Sequence, residues 1–301
     1  MTAIDPHRGY RRRLWLADRA EATAASAILW LCSKLSLRQA SALGGAAART
    51  VGPHLSRSKI ARRNLARVFP DKSTSEIEVI VRAMWDHVGR LATETAHLRQ
   101  IDCYRAGGPV EVVGAEHLDA LKAGGRGGIL FAGHVGQWDL PPLAVRQRGV
   151  DATIVYREIN NPLLNRVMGY WREPIGPFHN KGRSAAKAMI EGLRAGRCFS
   201  MLVDQKMNDG IPVPFFGRPA MTAPAIAQFA VRDGVPLLPA RSERLGGGRY
   251  RVTFYPPLAP VRTGDRQHDV AATLAKINDL IEGWIRARPE QWLWVHRRWP
   301  D

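Results

Sequence analysis

Gly128-Ile-Leu-Phe-Ala-Gly-His134-Val-Gly-Gln-Trp-Asp139-Leu140 is the stretch on which the fold turns. Gly128 to Ala132 is a short apolar run of the kind that forms a buried strand, and Gly133 and Gly136 let the backbone turn sharply just after it. His134 is therefore expected at the carboxyl end of a strand, the edge at which open α/β sheets bind ligands. Working outward, strands are predicted near Val110 to Val113, Ala152 to Tyr156, Cys198 to Val203, Val235 to Arg241 and Tyr250 to Tyr255. Helices are predicted between them, near Asn161 to Trp171, Ser184 to Ala195, Ala223 to Arg232 and Val270 to Ala287. Such alternation implies an α/β fold with a mixed, mostly parallel sheet flanked by helices. Gly246-Gly-Gly248 reads as the loop between two strands.

Before residue 110 the pattern is helical. Ser73-Thr-Ser-Glu76 is a capping box that opens an amphipathic helix through Ile77, Ile80, Val81, Met84, Trp85 and Val88. The basic run Arg57-Ser-Lys59-Ile-Ala-Arg62-Arg63-Asn-Leu-Ala-Arg67 precedes Phe69-Pro70, where proline ends a helix. At the N-terminus Arg8, Arg11, Arg12, Arg13 and Arg19 lie among Tyr10, Leu14, Trp15 and Leu16, and the uncharged Ala22 to Ser33 follows. That stretch falls short of the roughly 18 apolar residues a spanning helix needs. An interfacial helix and a plain core helix pair both fit it, and no small-residue cleavage site marks it as an export signal. The expected organisation is a membrane-associating helical region over residues 1–55 and one domain over 56–301. That domain has a helical lead-in to about residue 105 and the α/β body after it.

The chain of 301 residues, 45% hydrophobic and 24% charged, can bury a substantial core. Its 44 Lys+Arg against 27 Asp+Glu leave a net charge of +17, which points to an anionic partner: nucleic acid, a membrane surface or a phosphorylated substrate. The cations are scattered and aromatics do not interleave with them as a nucleic-acid groove would require, so no nucleic-acid partner is expected. Three distant cysteines without a CxxC exclude a disulfide framework and a Cys-based zinc site, and favour a reducing compartment. No GxGxxG follows a strand where a dinucleotide fold needs it, and GxxxxGK[ST] and GxSxG are missing.

His134 and Asp139 are the candidate catalytic pair. Residues five apart on one helix are rotated by about 140°, so a contact requires His134 on the glycine loop and Asp139 in the following first helical turn. A carboxylate on one imidazole nitrogen fixes the tautomer and stabilises the imidazolium formed when the other nitrogen takes a proton. With no serine elbow or reactive cysteine alongside, the expected proton source is a substrate hydroxyl. Such direct transfer needs no metal or cofactor.

The His134-to-Asp139 segment resembles the HxxxxD/E motif of the glycerolipid acyltransferase superfamily. Further blocks narrow the resemblance: Arg62-Arg-Asn-Leu-Ala-Arg-Val-Phe-Pro70, Tyr156-Arg157 with Asn160-Asn-Pro-Leu-Leu164, Asp204-Gln205 with Pro214-Phe-Phe-Gly217, and Pro289-Glu-Gln-Trp-Leu-Trp-Val-His-Arg-Arg-Trp299. Together they resemble the bacterial lipid A biosynthesis lauroyl/myristoyl acyltransferases. That resemblance implies transfer of a fatty acyl group from acyl-carrier protein or acyl-CoA to a hydroxyl of a phosphorylated glycolipid. The acceptor would be a lipid A precursor, or in some relatives a mannosylated phosphoinositide, at the cytoplasmic face of the bacterial inner membrane. It also assigns His134 as base and Asp139 as its orienting acid, Arg172 as an arginine of the active site, and Asp204 as the acid of the block containing Gln205.

The residues themselves place Arg157, Lys181 and Arg183 at strand ends or in the intervening loop, where a phosphorylated head group could meet several donors. Other readings stand beside these. Arg157 and Arg172 could pair at the surface with Glu158 and Glu173, Asp204-Gln205 could cap a loop, and Trp292, Trp294 and Trp299 could form an interfacial aromatic belt or a core helix end. A basic nucleic-acid-binding or membrane-surface protein without catalysis is the alternative of another class.

Overall fold

The computed structural model describes residues 8–299, apart from the side chains of 8–14, 183 and 184. The helical lead-in is as expected. Helices α1 (Arg8–Ser33), α2 (Leu37–Val51), α3 (Arg57–Val68) and α4 (Thr74–Glu94) fill most of the first hundred residues. Ser73 and Glu76 form the capping box at the start of α4, a second box at Ser36 and Gln39 opens α2, and Phe69 caps α3 just before Pro70.

Gly44 and Gly89 set the spacing of α2 and α4. A Cβ on either would collide with the carbonyl oxygen of the other, so the two backbones touch there. Helix α1 divides its faces: Leu29 and Cys32 are buried with Ala40 and Ala96, while Trp15, Leu16, Ile28, Trp30 and Leu31 are exposed. One face of the helix thus packs into the core and the other leaves large apolar side chains exposed. Among the described residues, no helix is long and apolar enough to cross a membrane.

The body follows as β1 (Val110–Val113), α5 (Glu116–Ala123), β2 (Gly128–Ala132), α6 (Leu140–Gln147), β3 (Ala152–Tyr156), α7 (Pro162–Arg172), β4 (Phe178–Asn180), α8 (Arg183–Arg194) and β5 (Cys198–Leu202). After a hairpin of β6 (Ile211–Phe215) and β7 (Arg218–Thr222) come α9 (Ala225–Asp233), β8 (Leu237–Gly246), β9 (Arg249–Phe254) and α10 (Arg266–Ala287). The seven-stranded sheet has the order β1-β9-β8-β2-β5-β3-β4, and only the β8–β9 pairing is antiparallel. Strand β2 is buried at every residue, as a central parallel strand covered on both faces must be. Two core clusters cover the sheet: one holds Phe131, Phe199 and Leu237 with residues of α4, α9, α10 and the C-terminal tryptophans, the other Leu130, Leu143 and Val252.

The sequence expectations missed β4 and the β6–β7 hairpin. In the hairpin, Pro212 and Pro214 interrupt the alternation that announces a strand, yet the pair stands outside the main sheet, where prolines are tolerated. Replacing Gly89 by Val should force α2 and α4 apart and lower stability by about 1 to 3 kcal/mol, measured by chemical denaturation; an unchanged midpoint would contradict the backbone contact.

Candidate active site

Strands β2 and β5 lie side by side in parallel with Ala132 opposite Leu202, and the Val203 amide donates to the Ala132 carbonyl. Carrying that register two residues further sets His134 level with Asp204. The Asp204 carboxylate accepts from the His134 amide at 2.8 Å, from His134 Nδ1 at 2.7 Å and from Trp292 Nε1 at 2.6 Å. Burial acts to raise this carboxyl, but the attraction of the His134 ring when it is protonated and these hydrogen bonds outweigh it and hold Asp204 below the usual carboxylate range. An acceptor-only partner on Nδ1 fixes the proton of a neutral imidazole there, leaving a lone pair on Nε2.

Gln205 meets that lone pair. Its side-chain amide donates to His134 Nε2 at 3.1 Å and to His296 Nε2 at 2.8 Å, bridging two imidazoles. Trp138 stands edge-on to the His134 ring with centroids 5.2 Å apart. Burial, then the His134 charge, pushes His296 down to about 4, with Arg57 and Arg157 adding in the same direction. The His134 side chain stays 15% exposed. A reactant can therefore reach the ring although its carboxylate partner is sealed from water.

The loop carrying His134 is clamped from behind. Gly136 has φ +62°, and a Cβ there would collide with the Ser242 carbonyl, so both the turn and the close approach require glycine. His87 Nε2 donates to the Gly136 carbonyl at 3.1 Å, the Gly136 amide donates to the Gln291 carbonyl at 3.0 Å, and the Gln137 amide donates to buried Glu94 at 2.9 Å. Arg244 ties this layer together through Glu94 and His87 Nδ1.

Several expectations change here. Asp139 does not reach His134. It is the N-cap residue of α6, beyond the Gly136 turn, and its carboxylate is taken by Arg172 at the end of α7, through Nε at 3.1 Å and through Nη2. The place on the imidazole that it was expected to fill belongs to Asp204, 70 residues along the chain from His134, which meets Nδ1. Arg172 likewise does not pair with Glu173, which meets Arg99 and Arg146; its guanidinium lies over the Phe178 ring. Thus Asp204 and Gln205 join His134, whereas buried Asp139 and half-buried Arg172 form a separate pair.

Arg157 is exposed beyond β3 and does not pair with Glu158 among the described residues; Lys181 is exposed after β4. The Arg183 side chain lies outside the described residues. Trp292, Trp294 and Trp299 are buried with Phe215 and Phe216 and form no exposed belt; Trp292 caps the short 3-10 helix Pro289–Gln291, the core helix end among the expectations. His296 and Trp292 were missed as site residues, and the quoted C-terminal block is their one sequence signal. Among the described residues, no group of three or more His, Cys, Asp or Glu could hold a metal ion.

A family model for bacterial lipid A biosynthesis acyltransferases matches residues 13–301. The chain belongs to that family. It is similar to the phosphatidylinositol mannoside acyltransferase of Mycobacterium tuberculosis (strain ATCC 25618 / H37Rv), 29% identical over 79% of this chain and 76% of that protein. It is also similar to two proteins of Escherichia coli (strain K12). The lipid A biosynthesis lauroyltransferase is 29% identical over 80% of this chain and 78% of its own length, and the palmitoleoyltransferase 25% identical over 90% and 88%. Membership brings acyl transfer, with an acyl donor and a lipid acceptor, to the family-matched chain that carries this site.

His87 and His296 are held neutral, at about 3 and about 4, by burial above all. Unfolded, each titrates near about 6.5, so below that value the unfolded chain binds protons that the folded chain does not, and stability falls with pH. Melting temperature should decline from about pH 6.5 toward about pH 4, and His296→Gln should decline less steeply; parallel slopes would contradict a neutral His296.

Proposed function

We propose that the chain moves a fatty acyl group from an acyl-carrier-protein or acyl-CoA thioester to a hydroxyl of a phosphorylated glycolipid, with a lipid A precursor as acceptor. The single observation carrying this reading is the Asp204 carboxylate on His134 Nδ1, a contact that favours the proton there and a lone pair at Nε2, in a chain of an acyltransferase family. An acceptor hydroxyl presents the same kind of donor to Nε2 as the Gln205 amide does, and takes its place. Nε2 then removes the hydroxyl proton as oxygen attacks the thioester carbonyl. The tetrahedral intermediate collapses, the carbon–sulfur bond breaks, and the imidazolium returns its proton to the departing thiolate. Asp204 stabilises the imidazolium between those steps, while Asp139 holds Arg172 and the start of α6.

Arg157 and Lys181, exposed at neighbouring strand ends, suit the acceptor's phosphate, and Arg183 opens the next helix beside them. A second acceptor, a phosphatidylinositol mannoside, is favoured by the similarity to the mycobacterial enzyme. The exposed Trp15, Leu16, Ile28, Trp30 and Leu31 of α1 suit insertion into the interface of an anionic membrane, which supports the reading of an enzyme working at the cytoplasmic face of the inner membrane.

Incubating the chain and membranes with labelled acyl-carrier protein or acyl-CoA, and identifying the product by mass spectrometry, tests donor and acceptor together. His134→Ala should abolish transfer and retain membrane association. Asp204→Asn should lower the rate constant by about 10³ to 10⁴, because the wrong tautomer is then favoured. Asp139→Asn should lose much less than Asp204→Asn at equal folded fraction; the reverse order would reject Asp204 as the orienting acid.

A further inference from the structure

A cavity of about 600 Å³ is lined in part by His87 and Gln291, which hold the His134 loop at Gly136, and none of the groups assigned to acyl transfer lines it. Its volume is in the range of ligand sites, which run from about 300 to 1,000 Å³. Four separate elements supply its walls: α2, α4, the β8–β9 turn and the segment after α10. The cationic side chains converging on it are Arg49, Arg82, Arg90, Arg244 and Arg288.

Shared carboxylates oppose them. Asp86 is shared between Arg49 and Arg90, Glu290 stands 4.0 Å from Arg288, Glu94 behind the wall serves Arg244, and Glu78, paired with Arg62, also feels the charge of Arg82. Guanidinium groups therefore outnumber carboxylates. Gathering like charge in a concave, partly desolvated space costs stability unless an anion offsets it, and the planar forks suit phosphate oxygens. His87 adds no positive charge, since its burial keeps it neutral; it accepts from Arg244 at Nδ1 and donates to the Gly136 carbonyl at Nε2. At the mouth, Val79 is 66% exposed and Leu245 38% exposed beside Arg82. Gly246, Gly247 and Gly248, all at positive φ, put no side chain across the opening.

We propose that this cavity binds a phosphate-bearing ligand at a site distinct from that of the acyl acceptor, against His87 and Gln291, the residues that hold the loop carrying His134. The ligand chemistry is a phosphate group held by several guanidiniums, presented by a soluble phosphorylated compound or by a phospholipid head group.

The test uses the full chain with two probes, inorganic pyrophosphate and dihexanoylphosphatidylglycerol below its micelle concentration, followed by titration calorimetry and thermal shift. At least one probe should bind saturably and raise the melting temperature. Arg82→Gln should weaken that binding about tenfold, the loss expected for a charge-assisted hydrogen bond. Val79→Glu, an exposed substitution that sets a carboxylate at the mouth, should weaken it as much, while Arg157→Gln and His134→Ala should leave it unchanged. Saturation by pyrophosphate alone assigns a soluble ligand, and saturation by the lipid assigns a head group. The proposal is overturned if neither probe saturates, if Arg82→Gln and Val79→Glu bind as the natural chain does, or if Arg157→Gln removes the binding instead.

Discussion

The Asp204 carboxylate, sealed at the end of a central strand and met by three N–H groups, is the constraint around which the rest of the site is arranged. A buried carboxylate without partners would be strongly destabilising, so the chain must bring donors to it. Two come from His134, on the neighbouring parallel strand's exit, and one from Trp292, more than eighty residues further along. Satisfying Asp204 thus fixes the imidazole in rotation and in tautomer at once, and draws the C-terminal segment across the sheet edge. Trp292 also bridges to Val135, and His296 follows it to the other side of Gln205.

A second layer transmits rigidity to this arrangement. The His134 loop has no regular secondary structure of its own, yet its carbonyl, amide and side-chain groups at Gly136 and Gln137 are tied to α4 and to Gln291. Glu94 and Arg244, both nearly inaccessible, anchor that layer. Their pairing contributes less through net attraction than through the cost of leaving either charge alone, which makes the layer unforgiving of single substitutions. Helix α4 serves two purposes: Gly89 seats it against α2, and His87 supports the loop.

Much of the fold was legible in the sequence because the signals were local. Gly128 to Ala132 is short, apolar and followed by glycine, which specifies a buried strand and a turn. Ser73 and Glu76 specify a helix start, and Pro70 a helix stop. The short strand β4 and the proline-containing β6 were not legible, since three residues and a broken alternation carry too little periodicity. Within the site, the strand-end position singled out His134, and the resemblance singled out Asp204 and Gln205. The assignment of Asp139 as the partner of His134 followed from nearness in sequence and from the motif the resemblance supplied, and the side-chain contact follows neither.

The sequence by itself determined which residue types stand at the carboxyl ends of the strands, where helices begin and stop, and the family to which the blocks belong. Tertiary structure decided which carboxylate meets the imidazole. Parallel pairing of β2 with β5 sets Asp204 level with His134, whereas the Gly136 turn and the start of α6 direct Asp139 toward Arg172. The physical reason is that a strand neighbour is about 5 Å away whatever its separation along the chain, so register between distant segments outranks spacing within one.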